Sequence, residues 1–365
     1  MTEAMNDKIY LEQSEQAQTE LLLCLRALEE VQQSIQFEHI RSAQIALKEA
    51  TAQALATLAT LLDTTTAVPT PYRDVDIAFR QAFAFLRNAI ETFSSHAGAD
   101  FGALFISSRS QQCSALELLY RWRRELTVIE PYFRMADDTR SIAELGENAS
   151  SVGITHHRAN DKHNEYSLYV PETYDPNRQW PLIVCLHGGY GSGNDYIWSW
   201  LRVARSRGYL LLSPKSHAQT WSIVQPPVDV NSIMTMLDGV LENYAVDSAR
   251  VYLSGLSDGA TFSYILGLQH ANRFCALAPI AGVLSPATDI MLRAGLGKEL
   301  PMHVIHGAHD AIFPVQTVRS TNTLLTKLGY NLKYTELSDW GHALTYVINE
   351  ELVLPWFEQL SGTPH

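Results

Sequence analysis

The chain has 365 residues, 46% of them hydrophobic, and a formal net charge of −12 at pH 7. That length allows one α/β domain of ordinary size together with a smaller unit. The net negative charge argues against nucleic acid or an anionic membrane surface as a partner, because both require a basic face. A small neutral molecule fits this composition better.

The start of the chain and its cysteines bear on the compartment in which the protein works. Residues 1–8 lack a basic start followed by an apolar core, and no apolar run approaches the length of a membrane span. The four cysteines are widely spaced, and Cys185 and Cys275 lie in apolar runs where a thiol behaves as a small hydrophobe. We therefore expect a cytoplasmic protein that has no membrane span and needs no disulfide.

Glycine and proline are distributed unevenly and divide the chain into two predicted domains. Only three of the twenty glycines and three of the fifteen prolines lie before residue 151, which favours long helices over a turn-rich sheet. We therefore predict an all-helical, bundle-like domain with its linker over residues 1–150, followed by an α/β domain over residues 151–365. The linker is expected at residues 136–151.

The N-terminal part contains four stretches in which apolar residues recur at helical spacing. These stretches cover residues 21–35, 40–62, 75–93 and 116–129. Breaks near residues 63–71 and 94–102 separate them, which predicts an antiparallel bundle of helices. Three roles stay open for these helices: a lid over the site of the second domain, the interface of a homodimer, or a stabilising appendage.

A strand, a sharp turn and a helix are predicted around the sequence Gly255-Leu256-Ser257-Asp258-Gly259. Apolar, β-branched and aromatic residues at 251–253 precede it, and residues 260–266 can continue as a buried helix. A strand that ends in G-x-S-x-G and turns at once into a helix exposes its serine on an elbow, where the glycines relieve crowding. Ser257 is therefore the predicted nucleophile.

Two later loops supply the groups that a serine nucleophile needs, a histidine to take its proton and a carboxylate to orient that histidine. The predicted strand 302–305 runs into a loop that carries Asp310, and the predicted strand 332–337 is followed by a loop that carries His342. Asp339 is a rival for the acid, but it would share the loop of His342 instead of approaching from a separate strand. Asp310 and His342 are the predicted partners of the serine.

Backbone N–H groups must also stabilise the oxygen of a tetrahedral intermediate. The apolar run 181–186 is suited to a buried parallel strand and ends in the glycine-rich segment 187–193. We assign one N–H donor of this oxyanion hole to Gly189, with Tyr190 as the less favoured choice, and the second donor to Asp258. The Asp258 side chain has to turn away, because a carboxylate beside the oxyanion would weaken the site.

Residues from about 165 to 355 resemble a serine esterase of the α/β-hydrolase superfamily, in which the chain order Ser, Asp, His is expected. They are most similar to the compact carboxylesterase, feruloyl-esterase and polyhydroxybutyrate-depolymerase-like group. The matching segments are residues 166–171, 182–193, 244–260, 306–314 and 341–342. The resemblance implies a mostly parallel sheet flanked by helices. It also implies Ser257, Asp310 and His342 as nucleophile, acid and base, with residues 188–190 as the oxyanion segment.

Several aromatic side chains are candidates for lining the substrate pocket. Trp198, Trp200 and Trp221 lie on segments that follow strands whose C-terminal ends should face the site. Large aromatic residues serve equally well as packing residues or as pocket residues. Trp221 is the first choice for substrate binding, together with His187.

Neither a metal ion nor a bound phosphate is predicted. His306 and His309 lack the further convergent ligands that a metal site needs, so we interpret them as structural. The glycines of residues 188–193 do not fit G-x-G-x-x-G, and no Lys-Ser or Lys-Thr follows them as in a P-loop. No cofactor is therefore expected.

The predicted reaction is hydrolysis of short to medium acyl or aryl esters through an acyl-enzyme, with a small-molecule ester as the partner. A serine peptidase or amidase would use the same residues, and comparing ester with amide turnover separates the two. A non-catalytic binding protein built on a hydrolase is disfavoured, because every reactive position is filled. Serine at the elbow disfavours a hydrolase with a cysteine nucleophile.

Overall fold

The structure is a computed structural model that describes residues 2–33, 35–63, 68–95, 101–141, 144, 152–158, 164–343 and 346–362. The chain forms two compact units. The first, called here the helical unit, comprises Met1–Gln32 and Glu38–Asp137, and the second, the α/β unit, comprises Gln33–Phe37 and Asp138–His365. The boundary between the units therefore lies at Asp137, and most of the predicted linker at 136–151 lies outside the described residues.

The helical unit confirms the prediction that the N-terminal part is all-helical. Its helices are α1 Thr2–Gln33, α2 Ile40–Asp63, α3 Arg73–Phe93 and α4 Phe101–Arg121, with short 3-10 turns at Phe37–His39, Thr70–Tyr72 and Glu130–Phe133. Helix α3 buries a continuous apolar face that includes Phe79, Phe83 and Leu86. This face is the stripe at 75–93 that the sequence predicted.

The fourth helix lies earlier in the chain than the stretch 116–129 predicted for it. Polar side chains on α4 are buried, and Ser108 donates its hydroxyl to the carbonyl of Ala89 on α3 at 2.8 Å. In the first half of α4 the apolar residues Phe101 and Phe105, which contact Phe93, are followed on the buried side by the polar residues Ser108 and Gln112, which interrupt the apolar pattern. The helix ends at Arg121, where the chain turns. The Arg123 guanidinium then donates to the carbonyl of Tyr120, near the end of the helix, at 2.8 Å.

The α/β unit contains one sheet, in which eight strands can be followed through the described residues. The strands are β1 Gly153–His157, β2 Tyr166–Val170, β3 Trp180–Leu186, β4 Leu210–Pro214, β5 Val246–Leu256, β6 Ala276–Ile280, β7 Met302–Gly307 and β8 Leu332–Leu337. The helices are α5 Gly193–Tyr196, α6 Trp198–Arg207, α7 Pro227–Asn243, α8 Asp258–Gln269, α9 Pro286–Arg293, α10 Val315–Leu328, α11 Tyr346–Ile348 and α12 Leu354–Ser361. A 3-10 turn at Ala271–Arg273 and a π-helical turn at Asn349–Val353 complete the unit.

The strands follow the order β1-β2-β4-β3-β5-β6-β7-β8 across the sheet. Strand β2 pairs antiparallel with β1 and β4, and all pairs from β4 to β8 are parallel. Every residue of β3 is buried, as expected where helices cover both faces of a parallel sheet. The predicted mostly parallel sheet flanked by helices is confirmed, and it brings the carboxyl ends of β3, β5 and β7 to one edge.

No helix within the described ranges is long and apolar enough to cross a membrane.

A buried ion pair lies in the α/β unit next to the strand β2. Arg205 Nε donates to Glu172 Oε1 at 3.2 Å, and the Tyr169 hydroxyl donates to the other oxygen of that carboxylate at 2.8 Å. The side chains of Arg205 and Glu172 are only 2% and 4% exposed. A pair buried to this degree depends on both partners, because a single buried charge is strongly destabilising.

We predict that Glu172→Ala lowers the free energy of unfolding by about 3–5 kcal/mol, because the Arg205 guanidinium stays buried without that carboxylate. Urea unfolding followed by circular dichroism measures the effect. The control is Asp289→Ala, which breaks the solvent-exposed pair with Arg293 and should leave the stability near that of the wild type. Equal losses in the two variants would contradict the prediction.

Candidate active site

Ser257 occupies the sharp turn between β5 and α8. Its backbone has φ 58° and ψ −121°, a conformation that costs a residue with a side chain about 1–3 kcal/mol. The Ser257 N–H donates to the carbonyl of Ile280 at the end of β6, at 2.9 Å, and so ties the turn to the sheet. The strained elbow that the sequence predicted is therefore present, with Ser257 half-buried at its apex.

The two glycines of G-x-S-x-G are required by close contacts of the backbone. A Cβ at Gly255 would lie 2.4 Å from the carbonyl oxygen of Gly259, and a Cβ at Gly259 would lie 2.3 Å from that of Leu186. Neither glycine has a positive φ. They therefore permit the tight packing of strand, elbow and helix, and the left-handed backbone falls on the serine itself.

The structure brings the three predicted side chains together in one chain of hydrogen bonds. His342 Nε2 lies 2.8 Å from Ser257 Oγ, and His342 Nδ1 lies 2.7 Å from Asp310 Oδ2. Ser257 follows β5, Asp310 follows β7 and His342 follows β8, so three parallel strands contribute one group each at the same edge of the sheet. Asp339, the rival acid, instead accepts a hydrogen bond from the Ser338 hydroxyl at 2.9 Å.

Asp310 is buried and held as an ionised carboxylate. Its Oδ1 accepts the backbone N–H groups of Ile312 and Phe313, both at 2.8 Å. Burial by itself raises the pKa of the Asp310 carboxyl, but the hydrogen bond and charge of His342 and the Phe313 N–H outweigh it and lower that pKa below its ordinary value. The imidazole of His342 must therefore donate from Nδ1, which leaves its Nε2 lone pair facing the serine hydroxyl.

His306 and His309 make hydrogen bonds to backbone carbonyls, His306 to the loop after β7 and His309 to the loop after β8. His306 Nε2 donates to the carbonyl of Phe313 at 2.8 Å, and the His309 N–H donates to the carbonyl of Trp340 at 2.9 Å. Burial lowers the pKa of His306, so its imidazole is neutral beside Asp310. No group of three or more His, Cys, Asp or Glu side chains in the described part of the chain is arranged to hold a metal ion.

The glycine-rich segment after β3 lies against the elbow. A Cβ at Gly188 would lie 3.3 Å from Ser257 Cβ, so only a glycine allows this approach without adjustment. Among the described residues, no acceptor is found for the N–H groups of Gly189 and Asp258, the two donors that the sequence favoured. Both N–H groups are free to bind an oxyanion.

Tyr190 was named as the less favoured donor, and the structure corrects this assignment. The Tyr190 N–H donates to the carbonyl of Gln219 at 2.5 Å, so it is already satisfied. The residue has a left-handed backbone with φ 59°, and its side chain is 64% exposed. Tyr190 therefore anchors the segment and does not complete the oxyanion hole.

The Asp258 carboxylate is held by Thr220, a residue that sequence reasoning missed. Thr220 Oγ1 donates to Asp258 Oδ2 at 2.5 Å. A Cβ at Gly189 would lie 2.6 Å from that same Oδ2, so the carboxylate lies against the side of the Gly189 Cα where a side chain would begin. Thr220 lies in a loop without a recognisable motif, and only the three-dimensional structure shows that it orients the side chain next to the nucleophile.

His187 and Trp221 were predicted to bind substrate, and the structure assigns them to packing. Their exposed fractions are 1% and 2%. The Trp221 ring stacks on Phe262 with centroids 5.4 Å apart, and its Nε1 donates to the carbonyl of His187 at 2.7 Å. Trp198 and Trp200 are buried as well. Trp221 and His187 therefore pack beneath the glycine-rich segment after β3.

The His187 imidazole connects the oxyanion segment to the loop after β4. Its Nδ1 donates to the carbonyl of Gly188 at 2.7 Å, and its Nε2 accepts the N–H of Ser216 at 3.1 Å. Burial lowers the pKa of His187 to about 4, although the hydrogen bond to Gly188 opposes this shift. The ring is therefore neutral. Protonation of Nε2 would remove the acceptor of the Ser216 N–H and place two N–H donors against each other.

We predict that His187 makes the stability fall as the pH is lowered from about 6.5 to about 4. In this interval the unfolded chain binds a proton that the folded chain excludes, so the folded state loses about 3 kcal/mol from this group. Urea unfolding at a series of pH values measures the slope. His303, whose pKa burial also lowers to about 4, contributes in the same direction.

His187→Gln keeps an acceptor near Ser216 but has no proton to gain, so this variant should show a shallower slope between these pH values. The exposed His39→Gln is the control and should keep the slope of the wild type. A slope in His187→Gln equal to that of the wild type would rule out this origin.

Comparison with known proteins identifies relatives of the α/β unit. Residues 227–352, which include Ser257, Asp310 and His342, match the family described as Phospholipase/Carboxylesterase. A bifunctional acetylxylan esterase/xylanase of Neocallimastix patriciarum is 30% identical over 158 residues, 41% of this chain and 22% of that protein. Feruloyl esterase C of Emericella nidulans is 28% identical over 173 residues, 45% of this chain and 62% of that protein.

The chain thus spans less than two thirds of the length of these curated relatives. Among solved structures, a ferulic acid esterase from Anaeromyces mucronatus is 14% identical and has a TM-score of 0.47, covering 58% of this chain and 93% of that one. The names of these relatives are those of esterases, as the sequence resemblance implied, and the first is also named a xylanase. The sheet order, the serine elbow and the sequence matches agree with the resemblance of the α/β unit to serine esterases of the α/β-hydrolase superfamily.

Proposed function

We propose that the protein is a serine carboxylic ester hydrolase that acts through an acyl-enzyme. The observation that carries this proposal is the unbroken chain of hydrogen bonds from Asp310 through His342 to Ser257 Oγ. The free N–H groups of Gly189 and Asp258 lie beside the same elbow and can receive the negative charge of a tetrahedral intermediate. The names of the relatives agree with ester hydrolysis.

In the first half of the reaction, His342 Nε2 takes the hydroxyl proton of Ser257 while Oγ forms a bond to the ester carbonyl carbon. The carbonyl oxygen becomes an oxyanion that the two N–H groups stabilise. The protonated His342 then gives its proton to the leaving alcohol oxygen as the C–O bond breaks. Asp310 stays ionised throughout and stabilises the imidazolium.

In the second half, a water molecule attacks the acyl carbon and gives one proton to His342 Nε2. The second tetrahedral intermediate collapses, and the bond between the acyl carbon and Ser257 Oγ breaks. His342 returns its proton to Oγ, so the enzyme is restored and a carboxylic acid is released. No group outside the hydrogen-bonded chain needs to carry a proton.

The substrates that we propose are short to medium acyl or aryl esters. Many α/β-hydrolases carry a large cap before the strand that precedes the acid, but here β6 and β7 are joined by a connection whose one helix is Pro286–Arg293. This connection leaves little chain for a cap over the elbow. An acetyl group and a feruloyl group, which the names of the relatives mention, are respectively a short acyl and an aryl example.

Ser257→Ala is expected to reduce kcat for p-nitrophenyl acetate at least about 10⁴-fold, because the attacking oxygen is lost. Asp310→Asn should cause a loss of about 10⁴-fold, since it favours the wrong tautomer of His342. The exposed Asp339→Asn serves as the control and should retain the wild-type rate. A fluorophosphonate should label the wild type and not Ser257→Ala, and persistent hydrolysis by Ser257→Ala would refute the mechanism.

Turnover of p-nitrophenyl esters should be fastest with acyl chains of about two to eight carbons, if the elbow is open as we propose. A series of acyl chain lengths, together with an aryl ester and a matched amide, measures this preference by kcat/KM. The amide should be hydrolysed far more slowly than the ester. An optimum at long chains would overturn the substrate class, and faster amide turnover would favour a peptidase.

A further inference from the structure

We propose that Gln33 and Gln36 are positioning residues that hold the loop of His342 in its reactive place. They belong to a short segment, called here the strap, that consists of Gln33 and Ile35–Phe37. The strap comprises the last residue of helix α1 and part of the connection to α2, yet it belongs to the compact α/β unit. The inference deepens the proposed function, because it concerns the same His342 and Ser257.

The first contact joins the strap to the start of the loop that carries His342. Gln36 Nε2 donates to the backbone carbonyl of Asp339 at 2.8 Å. This bond links two residues that are 303 positions apart in the sequence. The side-chain amide of Gln36 must supply the donor, because a carbonyl oxygen can only accept.

The second contact lies on the other side of His342 in the sequence. The backbone N–H of Val347, in helix α11, donates to Gln33 Oε1 at 2.9 Å. Here the glutamine supplies the acceptor. The strap therefore binds the chain both before and after His342. Gln36 supplies a hydrogen-bond donor on one side, and Gln33 supplies an acceptor on the other.

The third contact is a close approach of backbones next to the histidine. A Cβ at Gly341 would lie 2.4 Å from the carbonyl oxygen of Ile35 and 3.3 Å from the Cα of Gln36. Gly341 has no positive φ, so its own backbone would tolerate a side chain. The strap, and not the turn itself, requires glycine at the position before His342.

The opposite side of the loop rests on the end of β7. A Cβ at Gly307 would lie 2.4 Å from the carbonyl oxygen of Trp340, and the His309 N–H donates to that oxygen at 2.9 Å. The residues from Ser338 to Ala343 form no helix or strand. The loop is thus held between the strap and β7, and this arrangement sets the position of the His342 ring relative to Ser257.

The two glutamines give variants with opposite expectations. Gln36→Glu and Gln36→Met both lose the donor to Asp339, and each should slow fluorophosphonate labelling of Ser257 about two- to tenfold. Gln33→Met loses the acceptor and should slow labelling to a similar extent. Gln33→Glu keeps an oxygen acceptor for Val347 and should label at nearly the wild-type rate. Gln53→Met, on an exposed face of α2, is the matched control.

Labelling is measured on the full chain across a series of pH values, together with the midpoint of thermal unfolding. A positioning role lowers the pH-independent labelling rate of the folded protein. A merely structural role lowers only the unfolding midpoint. Equal labelling rates in all variants, or a Gln33→Glu variant as slow as Gln33→Met, would overturn the inference.

A second readout does not depend on any reaction. The Nδ1–H proton of His342, hydrogen-bonded to Asp310, should give a low-field proton NMR signal that is lost in His342→Ala. Its exchange with water should be faster in Gln36→Glu than in Gln33→Glu, and equal exchange rates would contradict the inference. If the wild type is labelled but hydrolyses no ester, the proposed function fails while the positioning role still stands or falls on these two measurements.

Discussion

The position of one imidazole between a buried carboxylate and a strained serine is the constraint on which the site depends. His342 must keep Nδ1 at 2.7 Å from Asp310 and Nε2 at 2.8 Å from Ser257 at the same time. A displacement of about 1 Å is enough to cost a large part of the rate in a site of this kind. The three residues sit on separate loops, so the parallel sheet that gathers those loops at one edge is the element that makes the contact possible.

The elbow and its partners could be predicted because each depends on local sequence and on strand order. Ser257 is marked by the glycines on either side of it, Asp310 follows the fully buried strand β7, and His342 follows β8, which has fewer apolar residues but the composition of a strand. Strands β1 and β4 were not predicted, since β1 is polar and β4 is a short run that reads Leu210-Leu211-Leu212. Their places become clear only through strand pairing, of β1 with β2 and of β4 with both β2 and β3.

The remaining parts of the site depend on contacts between distant residues. His187 and Trp221 are buried, so they pack beneath the oxyanion segment and do not face a ligand. The Tyr190 N–H already donates to the carbonyl of Gln219. No pattern in the sequence predicts either contact. The shifted position of α4 has the same cause, because its buried serine and glutamine side chains conceal the inner face of the helix.

The carboxylate of Asp258 has a consequence for the end of the proposed reaction. It lies on the Gly189 backbone and is fixed there by the Thr220 hydroxyl. The acid formed from an ester is an anion at neutral pH, and a like charge fixed beside its binding place repels it. The same side chain that adjoins the nucleophile therefore lowers the affinity of the site for the acid product in the proposed reaction, which limits product inhibition and leaves the reaction equilibrium unchanged.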